Sequence, residues 1–185
     1  MVVTGAAARL STRMLPALRE RFDLRLVDVN DTSRRGEVVQ GIERADLSDP
    51  DRDAYRELFR GADAVVHCAY MRADRSDRDA HFEAEQGNIR MAFNLYQVCL
   101  EEGVGRAVVL SSNHAADYLE DLVHENRLDV VTPDMRPLAR GVYGWAKAAY
   151  EHLGFVFALG ADGWPRLPNV QIRIGNVNET RYAGY

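Results

Sequence analysis

Six short apolar runs, separated from one another by helical spacing or polar loops, constrain this chain more than any other feature. The runs fall at residues 1 to 4, 24 to 28, 38 to 43, 64 to 68, 106 to 111 and 170 to 174, and helical periodicity recurs near 10 to 21, 51 to 60, 78 to 103 and 143 to 159. Strand and helix in alternation predict an α/β fold, a doubly wound parallel sheet with helices on both faces. Right-handed crossovers would then bring Gly5, Asp28, His67 and Ser112, all near strand ends, to one edge. Residues 30 to 37, 115 to 141 and 161 to 169 read as irregular.

At that edge the first run has a specific use. Met1-Val2-Val3 reads as a buried strand, and Thr4-Gly5-Ala6-Ala7-Ala8-Arg9-Leu10-Ser11 as a tight turn opening a helix that is amphipathic from Leu15 to Phe22. Strand, turn and helix N-terminus suit a pyrophosphate, because unpaired amides and the helix dipole meet the anion. A G-x-x-G-x-x-G fingerprint would need three glycines, and only Gly5 is present; Ala8 and Ser11 hold the other places. Ala8 narrows the approach by one methyl, Ser11 can cap or pack the first turn, and Pro16 bends the helix unless it lies in that turn. Asp28 closes the second run about 20 residues on, where a carboxylate accepts both ribose hydroxyls of an adenosine and repels a 2′-phosphate. NAD is therefore expected in preference to NADP. Arg34 and Arg35 either meet such a phosphate or belong to a solvated loop.

A second constellation carries chemistry. Tyr143-Gly144-Trp145-Ala146-Lys147 sets a phenol and an ammonium one helical turn apart, about 30 residues beyond Ser111-Ser112-Asn113-His114. A fixed cation lowers a tyrosine pKa from about 10 and makes it a base, and a serine hydroxyl nearby can hold a substrate alcohol. Proton abstraction coupled to hydride transfer follows, which requires a nicotinamide.

Other partners are disfavoured. At 185 residues and 46% hydrophobic content the chain suits one domain, residues 1 to 185. A net charge of -5, with arginines scattered among acids, argues against nucleic acid. No run has membrane-spanning length and no signal peptide pattern is present, so a cytoplasmic location is expected. Cys68 and Cys99 read as buried free thiols, and His81, His124 and His152 lack metal-ligand spacing. His67 reads as a hydrogen-bonded core residue, whereas His114 either faces substrate or does not.

Taken in order, Thr4-Gly5-Ala6-Ala7, Asp28, Ala45-Asp46-Leu47, Val65-Val66-His67, Gln86-Gly87-Asn88-Ile89, Asn94-Leu95-Tyr96, Ser111-Ser112-Asn113-His114, Tyr143 with Lys147, and Arg173-Ile174-Gly175 resemble the extended short-chain dehydrogenase/reductases. These form the NAD-dependent epimerase/dehydratase family, and within it the chain looks most like uronate dehydrogenases. The resemblance implies a Rossmann-like domain, with Ser112, Tyr143 and Lys147 catalytic and Lys147 also bonding the nicotinamide ribose. Gly5, Ala8, Arg9 and Leu10 would supply the pyrophosphate turn, Asp28 the ribose contact and Asp46 with Leu47 the adenine contact. Cys68, Ala69 and Asn176 would lie along the cofactor, Asn113 and His114 would touch the sugar, and Asn88 would order the strand edge. A homodimer through the helices carrying Tyr96 and Tyr143 is implied as well.

Two departures concern substrate. Cys68-Ala69-Tyr70-Met71-Arg72 replaces a glycine-rich turn, and Arg72 either clamps a carboxylate or phosphate or is one charge on a loop with Asp74, Arg75 and Asp77. Family members also continue well past Arg-Ile-Gly, whereas the sequence stops at Tyr185, so the C-terminal substrate region is expected to be short or absent. The expected activity is hydride transfer between a sugar or sugar-acid hydroxyl and NAD. The alternatives are a nucleotide-sugar epimerase or dehydratase, which returns the hydride, and a non-catalytic NAD-binding regulatory protein.

Overall fold

Val2 and Val3 are wholly buried, and because side chains alternate along a strand they enter different cores on opposite faces of one sheet. The computed structural model describes residues 1–160 and 163–175. Its strands are β1 (Val2–Thr4), β2 (Arg25–Asp28), β3 (Ile42–Arg44), β4 (Val65–His67), β5 (Ala107–Ser112) and β6 (Asn169–Ile174). All pair in parallel, in the order β3-β2-β1-β4-β5-β6. The order reverses between β1 and β4, and in sheets of this kind the crevice beyond the carboxyl strand ends at that switch is where ligands bind.

Among the described residues, four α-helices complete the layers: α1 (Arg9–Arg19), α2 (Arg78–Glu101), α3 (Asp117–His124) and α4 (Val142–Leu159). The larger core packs Leu95, Tyr96 and Val98 of α2 and Phe157 of α4 onto Val2, Val65 and Val109. Across the sheet, Leu15 of α1 meets Val3 and Leu26. Each side chain of this kind, fully buried, contributes about 1.5–3 kcal/mol, so the two cores dictate the layering. Helices thus lie on both faces of a Rossmann-like sheet, as the alternation of runs implies.

Three local expectations are corrected. The strand expected over 38 to 43 begins only at Ile42; Val38 bridges Thr32 in an antiparallel pair and Val39 packs into the α1 core, so the apolar pair serves a loop. The helix expected over 51 to 60 is two 3-10 turns, Arg52–Ala54 and Arg56–Phe59. They break at Tyr55, where φ of -144° lets the ring enter the core and its hydroxyl donate to the Asp49 carbonyl at 3.0 Å. The segment expected to be irregular over 115 to 141 contains α3, too short for its Leu119 face to stand out as a period. Pro16 sits beyond the first turn of α1, which continues through it to Arg19.

Candidate active site

The turn after β1 explains the thinned glycine signature. Gly5 has φ of +66°, and a Cβ there would run into the backbone of Ala69 and Cys68, so both conformation and space require glycine. Ala8, the N-cap of α1, has ordinary dihedrals of -67° and 156°, which alanine adopts without strain. Ser11 is fully buried and its hydroxyl donates to the Gly5 carbonyl at 2.6 Å, locking the turn. The amides of Arg9, Leu10 and Ser11 are the first three of the helix, which leaves them without intrahelical acceptors, and the N-cap residue Ala8 supplies no side-chain cap. Asp28 accepts the Ala7 amide at 2.9 Å and the Asn30 amide at 3.1 Å, one on each oxygen, and each oxygen retains accepting capacity for a ribose diol. Asn94 of α2 pins the Asp46-Leu47 loop by donating to the carbonyls of Leu47 at 2.9 Å and Asp49 at 3.0 Å. A diphosphate at the α1 terminus and a diol at Asp28 fit this set of donors and acceptors.

The same cleft, about 1300 Å³, runs from Asp28, Asp46 and Leu47 past Gly5, Ala8, Arg9, Leu10, Cys68 and Ala69 to Arg72, Ser112, Asn113, His114, Tyr143 and Lys147. Sequence-distant groups meet because α4 approaches the 3-10 turn after β5 without a side chain between them. A Cβ at Gly144 would strike the His114 carbonyl and lie 2.8 Å from the Ala139 methyl. That contact sets the Tyr143 ring beside His114 and the Lys147 ammonium at the Leu110 carbonyl, on the cleft that Ser112 also lines. Ser112 is buried; its hydroxyl accepts the His114 amide at 3.2 Å and lies 3.3 Å from the Asn113 side-chain oxygen.

Lys147 is the one lysine in the sequence. Its ammonium donates to the Leu110 carbonyl at 3.0 Å and lies 5.7 Å from the centroid of the Tyr143 ring, 5.2 Å from that of Tyr70 and 4.7 Å from that of Tyr150. Burial pushes its pKa down to about 8, against the pull of the Glu85, Cys68 and Glu151 side chains. Because the folded value lies below the ordinary 10.5, the unfolded chain binds the extra proton between those two pH values. Stability contributed by this group therefore rises with pH through that window, and below about pH 8 the cost of the buried cation is present in full. Labelling with 13Cε-lysine should give a single side-chain resonance that titrates near pH 8; a midpoint above 10 would show the ammonium to be solvated.

Behind the two rings lies a buried polar group that the sequence does not announce. Glu85 of α2 is fully buried and accepts hydrogen bonds from the Tyr70 hydroxyl and, at 3.2 Å, from Asn88. His81 Nε2 is 3.5 Å from Glu85. Asn88 also bonds both polar atoms of the Met71 backbone, at 2.7 and 2.9 Å, so the loop after β4 is held like an edge strand. Tyr70 meets Tyr143 edge to face with centroids 5.4 Å apart. Burial, then the Glu85 carboxylate, pushes its phenol well up. Tyr70 and Glu85 stand 15 residues apart in sequence, with no spacing that links the one to the other.

The remaining candidates fall as follows. His114 lies 3.1 Å from Asp117, and its ring is 5.7 Å from that of Tyr143. Asn113 donates to Glu120 at 3.1 Å. His67 bonds the Thr4 hydroxyl at 2.7 Å in the core, where burial, then Lys147, drives its pKa down to about 3. Cys68 and Cys99 are buried free thiols, raised by burial to about 11 and 12. Asn176 lies outside the described residues. Among the described residues no cluster of three or more His, Cys, Asp or Glu could hold a metal ion, and no helix is long and apolar enough to cross a membrane.

Known proteins share this arrangement of elements. A family model for the NAD dependent epimerase/dehydratase family matches residues 1–162. The NAD-dependent glucose-6-phosphate dehydrogenase of Haloferax volcanii is 27% identical over 97% of this chain and 69% of its own length. A uronate dehydrogenase of Pseudomonas syringae pv. tomato is 29% identical over 95% of this chain and 58% of its own. The crystal structure of uronate dehydrogenase from Agrobacterium tumefaciens matches with a TM-score of 0.64 at 25% identity, covering 86% of this chain and 56% of that one. The chain thus spans between 56% and 69% of the length of these relatives.

Proposed function

The chain belongs to the NAD dependent epimerase/dehydratase family, and on that premise we propose that it is an NAD-dependent oxidoreductase acting on a hydroxyl of a sugar or sugar acid. The observation that carries this reading is the opening of Ser112, Tyr143 and Lys147 onto the same cleft as the Gly5 turn and Asp28. The relatives named for glucose-6-phosphate and uronate dehydrogenation support the substrate class.

In the proposed reaction Tyr143, as phenolate, takes the proton of the substrate hydroxyl. Ser112 bonds the same oxygen and shares the charge that develops there. Lys147 brings its charge to within 5.7 Å of the Tyr143 ring centroid, and the buried Glu85 carboxylate helps to keep that ammonium protonated. The Arg9, Leu10 and Ser11 amides would hold the diphosphate of NAD and Asp28 its adenosine ribose; NAD, when bound, supplies the hydride acceptor. Exposed Phe82, Trp145, Phe155 and Leu159 on α2 and α4 are proposed to be covered by a second copy of the chain.

The test is a panel of sugars and sugar acids with NAD, followed by absorbance of NADH. Net NADH with at least one of them supports a dehydrogenase. Conversion of a nucleotide sugar without net NADH supports the epimerase or dehydratase reading, and NAD binding with no turnover the regulatory one. Cofactor choice is tested separately. Asp28→Asn keeps an acceptor for the Ala7 amide but removes the charge, and relaxes the preference for NAD over NADP by about 10- to 100-fold in binding titrations. An unchanged ratio would remove Asp28 from the ribose site.

A further inference from the structure

We infer that Arg72 and Arg75 form an oxyanion clamp at the mouth of the cleft, selecting a sugar that carries a carboxylate or a phosphate. The inference rests on the oxidoreductase reading and specifies its substrate. Both residues line the cleft that Ser112, Tyr143 and His114 also line. The Arg72 guanidinium carbon lies 5.7 Å from the Tyr70 ring centroid, and that of Arg75 lies 5.7 Å from the centroid of Tyr143 itself. A guanidinium held against an aromatic face keeps its N–H edge for an acceptor, and that planar edge matches carboxylate and phosphate oxygens.

Acids from the same loop do not fill the place. Asp74 accepts the Ser76 amide at 2.9 Å, and Asp77 caps α2 by accepting the Asp79 and Ala80 amides at 3.1 and 3.0 Å. Among the described residues neither Arg72 nor Arg75 has an ion-pair partner, whereas elsewhere Arg52 pairs with Glu101 and Arg56 with Glu102. The loop that carries Arg72 is braced on two sides, by the Asn88 bonds to Met71 and by the Tyr70 bond to Glu85. Lys147 adds a third positive charge at this end of the cleft, against Asp74 on the lining and the buried Glu85 behind it, while Asp28 and Asp46 stand with Arg9 and Arg34 toward the other end. Such a field favours an anionic substrate over its neutral analogue and orients it with the anion outward and the reacting hydroxyl toward Tyr143.

The experiment compares glucose 6-phosphate, glucuronate and glucose, by NADH formation and by saturation-transfer NMR of each sugar with the NAD-loaded protein. At least one anionic sugar is expected to exceed glucose in kcat/KM by about 30-fold or more. Arg72→Gln and Arg75→Gln should each reduce that ratio about 10- to 100-fold, as expected for one charge-assisted contact. Arg90→Gln, which removes an arginine stacked on Phe93 outside the cleft, should leave the ratio unchanged. Which anion is preferred separates a sugar acid from a sugar phosphate. Turnover with a ratio near one, or a ratio that both cleft variants preserve, overturns the clamp and leaves the oxidoreductase reading standing. NMR contact with an anionic sugar, lost in the variants but without turnover in any protein, supports the clamp and overturns the oxidoreductase reading.

Discussion

Tyr143→Phe lowers kcat and kcat/KM for the sugar together, by about 10²–10⁴-fold, with NAD affinity within about threefold of the parent. On the proposed mechanism both constants fall together, because the phenolic oxygen would act only in the transition state. The fold survives because phenylalanine keeps the ring that packs edge to face on Tyr70 and faces His114. Initial-rate kinetics across the substrate concentration range and a cofactor titration check the two halves. Residual kcat above a tenth of the parent value would mean that another group takes the proton.

Gly5→Ala has the second large expected effect, and it is read in stability. The left-handed conformation costs an alanine about 1–2 kcal/mol, and forcing its methyl against the Ala69 backbone adds about 1–3 kcal/mol. For a domain of this size Tm should fall by roughly 4–20 °C, with NAD binding weakened in parallel. Ala8→Gly is the informative partner, since it restores a second glycine of the usual fingerprint. At an N-cap with ordinary dihedrals it should change Tm by about 3 °C or less and NAD affinity by less than about threefold. A tenfold gain in affinity on Ala8→Gly would show that the alanine methyl does crowd the diphosphate.

What was legible from residue order follows from which interactions are local. β1, β2, β4 and β5 coincide with apolar runs because buried parallel strands need no polar alternation, whereas β6, at one end of the described sheet and without a buried residue, shows instead as Val170, Ile172 and Ile174 alternating with polar side chains. The long helices α2 and α4 carry enough turns for their periods to show. β3 was misplaced because Val38 and Val39 have the composition of a strand but the contacts of a loop, and α3 was missed because eight residues hold little more than two turns. In the site, Tyr143 and Lys147 announce each other by their spacing, and Asp28 by its distance from the turn. Glu85 does not, since its burial makes sense only once Tyr70, Asn88 and His81 surround it. Nor does Arg75, which differs from neighbouring surface arginines only in lying over Tyr143.

Gly5 and Ala69 stand so close that the two loops share a wall. The first loop leads to the α1 amides, the second to Tyr70 and Arg72, and neither can be displaced without pushing on the other. A nucleotide that steadies one therefore readies the other, so the two ligands should bind with positive cooperativity. By thermodynamic reciprocity the sugar must then tighten the grip on the nucleotide by the same factor.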